Sequence, residues 1–128
     1  MLTKVMVTGI TGYIGQHCGA ELLRQGYEVI GTVRSMEKAD IVREGIARVA
    51  PIDNLTFCET NLLSDEGWKE AMEGCAYVLH VASPFIIANP ADENEMISPA
   101  VDGTLRVLSA AKANGVERVV VTSSLIAI

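Results

Sequence analysis

Thr8-Gly9-Ile10-Thr11-Gly12-Tyr13-Ile14-Gly15 is a TGxxGxxG segment that directly follows a short apolar run at 4–8 and opens a stretch of helical hydrophobic spacing. Three glycines so placed constrain the backbone severely. Gly9 permits a tight turn, Gly12 lets backbone amides approach an anion with no Cβ in the way, and Gly15 allows the helix to pack close to the strand layer. The helix that begins here aims unpaired N–H groups and the positive end of its dipole at the same point. The segment therefore predicts a strand, a pyrophosphate-binding turn and a helix in succession.

The rest of the chain alternates in the same way. Apolar runs rich in Val, Ile, Leu or Phe at 4–8, 28–33, 55–59, 78–82 and 119–122 read as doubly buried strands. Helical spacing covers 13–25, 37–49, 65–73 and about 93–114. Gly26, Gly74 and Gly115 each follow a helical stretch where a left-handed cap is wanted, and Ser64-Asp65-Glu66-Gly67 offers N-terminal capping groups. Pro99 falls inside the last helix and is expected to kink or split it. The alternation predicts one α/β domain over 1–128, a Rossmann-type doubly wound parallel sheet of five strands in the order 3-2-1-4-5. The nucleotide crevice should open between strands 1 and 4.

Composition excludes several classes. With 49% hydrophobic and 20% charged residues the chain is neither disordered nor, lacking a run of about 20 apolar residues, membrane-spanning. A net charge of -6 argues against nucleic acid as a partner. The amino terminus has no charged segment followed by a cleavage site, so a cytoplasmic protein is expected. Cys18, Cys58 and Cys75 have neither metal-ligand spacing nor a CxxC pair and read as reduced packing residues; no metal site is expected.

The end of the second strand, Gly31-Thr32-Val33-Arg34-Ser35, bears on cofactor choice. An NAD site usually places an acid here for the ribose hydroxyls, whereas an NADP site places a base for the 2′-phosphate. Arg34 stands 19 positions after Gly15, with no acid before Glu37. A guanidinium can hold a phosphate bidentately, so NADP is favoured, with Lys38 as a second cation and Ser35 as a hydroxyl donor.

TGITGYIG, GTVRS at 31–35, HVASP at 80–84 and RVVVTSS at 118–124 together resemble the extended short-chain dehydrogenase/reductase superfamily, in particular its dihydroflavonol 4-reductase, cinnamoyl-CoA reductase and aldehyde reductase group. The resemblance is collinear over essentially the whole chain. It implies that Gly9, Thr11, Gly12, Tyr13, Ile14 and Gly15 line the pyrophosphate, that Arg34 meets the 2′-phosphate, and that Asn61 and Leu62 flank the adenine. Asn61 departs from the usual aspartate, but its amide oxygen can accept the same hydrogen bond. The resemblance also places Val81, Ala82 and Ser83 along the nicotinamide-side ribose, Thr122 and Ser123 beside the cofactor, and makes Ser124 the catalytic serine that hydrogen-bonds the substrate carbonyl. Such enzymes reduce an aldehyde or ketone by hydride transfer from NADPH, with a YxxxK tyrosine supplying the proton. Tyr13, Tyr27 and Tyr77 are followed four residues on by His17, Gly31 and Val81, so these 128 residues hold no YxxxK and are expected to bind cofactor at most, as the N-terminal part of a longer reductase. Relatives continue with a catalytic helix, a sixth strand and a substrate lobe. In them the long helix lies near a subunit interface, which allows a homodimer.

Rival readings are a non-catalytic dinucleotide sensor, an NAD-dependent nucleotide-sugar epimerase or dehydratase, which would more often keep an acid where Arg34 stands, and, more distantly, a methyltransferase, which would lack the third glycine. Ser123 and Ser124, taken without the resemblance, could simply end a strand. His80 and His17 read as satisfied core histidines with no assigned role. Asp92, Glu93 and Glu95 suit a solvated helix start. Met96, Ile97, Val101, Leu105 and Leu108 form an apolar stripe expected to face the core.

Overall fold

The structure, a computed structural model, describes residues 3–61, 67–81 and 94–122, with the side chains of 94–100 excepted. Five strands form one sheet: β1 (Lys4–Thr8), β2 (Glu28–Val33), β3 (Leu55–Glu59), β4 (Tyr77–His80) and β5 (Arg118–Val121). All pairs are parallel, and the order is β3-β2-β1-β4-β5, the doubly wound arrangement that the alternating pattern predicts. The helices are α1 (Tyr13–Arg24), α2 (Glu37–Ala47), α3 (Trp68–Ala71) and α4 (Asn94–Ala113).

The period of two along each strand divides the core into two layers. Val7, Val29 and Val33 pack with Ala20 and Leu23 of α1 and with Val42 and Ile46 of α2. Met6, Ile30 and Val78 pack on the other face with Trp68, Met72, Val107, Ala110 and Ala111 from the α3 and α4 side. Gly26, Gly74 and Gly115 take positive φ just beyond helix ends, as expected. The three cysteines are free thiols. Burial pushes the Cys58 thiol up to about 11, which keeps it protonated and unreactive at neutral pH.

Several details differ from the sequence reading. β4 starts one residue earlier than expected and ends at His80, and β5 begins at Arg118, which pairs with Tyr77. α3 is a single turn, preceded by Gly67 in the left-handed region with no side-chain cap; residues 64–66 of the expected capping segment lie outside the described residues. Of the kink or split expected at Pro99, the split does not occur: α4 passes it as one helix. Proline there removes one backbone donor, and propagation of the remaining bonds outweighs that single loss.

The stripe on α4 is the largest correction. Val101, Leu105 and Leu108 are 50%, 53% and 39% exposed, while the residues that meet the sheet layer are Val107, Ala110 and Ala111. Small side chains let the helix axis approach the sheet, and the larger ones are left on the outer face. Met96 and Ile97 have side chains outside the described set, as do the acidic residues Asp92, Glu93 and Glu95.

Candidate functional site

The strand order reverses between β1 and β4, where an open α/β sheet leaves a crevice beyond its strand ends. Thr8 ends β1, His80 ends β4, and the two are register partners. The turn from β1 to α1 is closed by the Gly12 amide donating to the Gly9 carbonyl at 3.1 Å, with Gly9 at a φ of 69°. Gly15 is required by space. A Cβ there would lie 2.2 Å from Gly9 O and 2.8 Å from both Gly9 C and Ile10 Cα, all backbone atoms. At Gly12 a Cβ would meet only Gly9 O, at 3.5 Å, so the fold itself leaves room for one.

Thr11, Gly12, Tyr13 and Ile14 are exposed, Tyr13 by 80%. The N-cap of α1 is Gly12, with no side-chain cap hydrogen bond and no acidic residue in the first turn. The leading amides of α1 are therefore offered outward, the donor set a pyrophosphate needs. Gln16 Nε2 donates to Thr11 O at 3.0 Å and steadies the loop from the helix side.

Arg34 follows β2 directly, is exposed, and like Lys38 has no ion-pair partner among the described residues. The Lys38 amide donates to Ser35 O at 3.1 Å, so the two cations stand on a short turn into α2. Asn61 lies just past β3, and its carbonyl accepts a 3.1 Å hydrogen bond from Trp68 Nε1. Across the crevice, the Val81 amide donates to Thr8 Oγ1 at 3.0 Å, and the Thr122 amide donates to His80 O at 3.0 Å. The structure thus sets Gly9, Thr11, Gly12, Tyr13, Ile14, Gly15, Arg34, Lys38, Asn61, Val81 and Thr122 at or just beyond the carboxyl ends of the strands. Leu62, Ala82, Ser83, Ser123 and Ser124 lie outside the described residues.

Beneath the crevice runs a buried polar row that hydropathy reading passes over. Thr32, Thr8 and His80 are buried on neighbouring strands at one level. Thr32 Oγ1 accepts from the Gly9 amide at 3.3 Å, and Thr8 Oγ1 is hydrogen-bonded to His80 Nδ1 at 2.8 Å. One hydroxyl anchors the glycine loop and the other anchors the start of the segment after β4. His80 is the satisfied core histidine expected. His17 is not: it is exposed and meets Tyr13 edge-on, with ring centroids 4.5 Å apart.

Two outcomes follow. Thr8→Val, nearly isosteric, leaves the Val81 amide and the His80 ring without their buried partner and is expected to cost about 3 kcal/mol by urea denaturation. Burial holds the pKa of His80 below its usual value, so the ring is neutral in the fold. The unfolded chain then binds the extra proton first. This stability is complete above the unfolded value of about 6.5 and declines as pH falls below it. Melting midpoints should fall more steeply between pH 7 and pH 5.5 in the native chain than in His80→Gln.

An open groove of about 460 Å³ between α3 and α4, bordered by Trp68, Lys69, Asp102 and Arg106, lies on the sheet face away from α1 and does not reach the glycine loop. Among the described residues no three His, Cys, Asp or Glu side chains are grouped to hold a metal ion, and no helix is long and apolar enough to cross a membrane.

The strand order and the helices on both faces define a Rossmann-type doubly wound fold. The sequence matches the NAD dependent epimerase/dehydratase family over residues 5–127, and the chain belongs to that family. It is 41% identical over 123 residues to dihydroflavonol 4-reductase of Solanum lycopersicum, covering 95% of this chain and 32% of that protein. It is 38% identical over 130 residues to ketoreductase CTB6 of Cercospora nicotianae, covering 95% and 36%. Among solved structures, the yeast methylglyoxal/isovaleraldehyde reductase Gre2 complexed with NADPH superposes with a TM-score of 0.83 at 32% identity, covering 98% of this chain and 38% of that one. The chain spans less than half the length of each of these relatives.

Proposed function

We propose that this chain is the NADP-binding part of a reductase that reduces an aldehyde or ketone with NADPH, residues 1–128 forming its N-terminal cofactor domain. The observation that carries the reading is the pairing of a glycine-loop helix start that has no side-chain cap with an exposed Arg34, at the end of the adjacent strand, that has no ion-pair partner among the described residues. The amides of the Gly9–Gly15 loop bind the pyrophosphate, Arg34 with Lys38 binds the 2′-phosphate, Asn61 and Leu62 flank the adenine, and Val81, Ala82 and Ser83 line the nicotinamide ribose. Thr122 and Ser123 border the cofactor, and Ser124 orients the substrate carbonyl. When bound, the cofactor supplies a hydride. These residues hold and orient it, while proton delivery needs a YxxxK pair, a motif the 128 residues do not contain. Arg34 in the place of an acid favours this reading over an NAD-dependent epimerase or dehydratase.

Calorimetric titration with NADPH and NADH tests it. NADPH should bind at least about tenfold tighter, from the extra phosphate held by a charged partner; binding of neither, or a preference for NADH, overturns it.

The reading extends to the cytoplasm, a reducing compartment that suits three free thiols. It also extends to self-association. Val120 and Val121 on β5, 52% and 45% exposed, leave apolar surface at the sheet edge, and Val101, Leu105 and Leu108 leave more on the outer face of α4. Light scattering at high protein concentration should show dimers or larger species, reduced by Leu105→Lys; a monodisperse monomer contradicts the association.

A further inference from the structure

We propose that Ile10 is a positioning residue for the cofactor, a peg that sets the height and tilt of the glycine loop by filling a socket built from two glycines outside the TGxxGxxG segment. The inference rests on the proposed cofactor binding. Ile10 is the one side chain of the segment's interior that turns inward: it is fully buried, whereas Thr11, Tyr13 and Ile14 face solvent. It enters the core layer shared by α1, α2 and β2.

The socket is made by absent side chains. A Cβ on Gly31 of β2 would lie 2.7 Å from both Cδ1 and Cγ2 of Ile10, and one on Gly19 of α1 would lie 3.1 Å from Cδ1. The same Gly19 position is 3.5 Å from Ile46 Cδ1 of α2, so Ile10 and Ile46 converge there. Neither Gly31 nor Gly19 has a positive φ; both are glycine for space and not for backbone freedom. Ile10 is β-branched and stiff at χ1, so a fixed side chain transmits its position to the backbone it belongs to. That backbone is the base of the anion-binding turn, because Gly9 O receives the Gly12 amide and is the atom Gly15 closes against. The contacts also tie the pyrophosphate loop to β2, which Arg34 directly follows, and to α2, whose first turn carries Lys38.

Emptying the socket frees the loop to sink or tilt, and the outward amides lose their common aim. The effect should fall on ligands that need the pyrophosphate and spare those that do not. NADPH and adenosine 2′-phosphate separate the two, since the latter keeps the 2′-phosphate and lacks the pyrophosphate. Ile10→Ala is expected to weaken NADPH about tenfold or more and to leave adenosine 2′-phosphate within about twofold of the native chain. Leu23→Ala, in the same core layer but at the far end of α1, should lower the melting midpoint comparably and leave NADPH affinity unchanged. Should Ile10→Ala not fold, Ile10→Val, which removes only Cδ1, should fold and weaken NADPH about threefold, again sparing adenosine 2′-phosphate. NADPH affinity equal to native in the folded variant, or equal loss of both ligands, overturns the peg. Failure of the native chain to bind NADPH instead overturns the cofactor reading and the peg with it.

Discussion

Gly15→Ala is expected to lower the melting midpoint by about 10 °C, a loss of about 3 kcal/mol, and to weaken NADPH at least tenfold. The added methyl would stand 2.2 Å from a backbone oxygen and 2.8 Å from two backbone carbons, so no side-chain rotation can relieve it. Either α1 moves away from the end of β1 or the Gly9–Ile10 backbone moves down. Both disturb the same amides. Gly12→Ala is the matched contrast. Its Cβ meets one backbone atom at ordinary contact distance, and Gly12 has a φ of -79°, which alanine adopts freely. Its midpoint should stay within about 2 °C of native. NADPH should still weaken, because the methyl occupies the approach of the pyrophosphate. Scanning calorimetry of both variants, with titration of each, checks the pair. Equal destabilisation by the two would show that the close approach at Gly15 does not govern the turn.

Arg34→Ala should reduce NADPH affinity about 10- to 100-fold, the loss of a charge-assisted and bidentate phosphate contact, while NADH affinity stays unchanged. Arg34 is exposed and holds no other charge among the described residues, so the midpoint should move by less than about 0.5 kcal/mol equivalent. The phosphate-specific loss is what separates this role from that of an ordinary surface base. Lys38→Ala should give a smaller loss of the same kind. Parallel weakening of NADPH and NADH would place Arg34's effect elsewhere in the site and remove the basis for cofactor choice.

Much of the local geometry of the candidate site was readable in the chain because its residues are close in sequence. TGITGYIG is a local device: a strand end, a turn and a helix start within eight residues, in which Gly9 takes a positive φ and Gly15 closes against backbone. Arg34 is equally legible, since it is the first residue after β2, whose bounds match the hydrophobic run. β1 and β3 match their runs as well. β4 was harder, because apolar residues continue through Val81, whose amide leaves the ladder and turns to Thr8 Oγ1. Hydropathy carries no trace of that hydrogen bond.

The misreading of α4 has a different origin. Periodicity registers large apolar residues, and Val101, Leu105 and Leu108 repeat at helical spacing as a core stripe would. The helix instead presents Ala110 and Ala111 with Val107 to the sheet layer. Which stripe is inner depends on how near the helix can lie, and that is a property of the packed layers. His17 illustrates the same limit on a smaller scale, since nothing in its neighbours distinguishes the inner from the outer face of α1.

By itself the sequence determined the alternation of strands and helices, the parallel order that reverses between β1 and β4, the glycine turn between β1 and α1 and the base at the end of β2. These follow from local periodicity, from glycine spacing and from the handedness of crossovers. Only the tertiary structure decided the pairing of Thr8 with His80, 72 positions apart, the socket that Gly19 and Gly31 open for Ile10, and the outward face of α4. Those features arise where separate elements meet, and the space and hydrogen-bond partners found there exist only once the layers have packed.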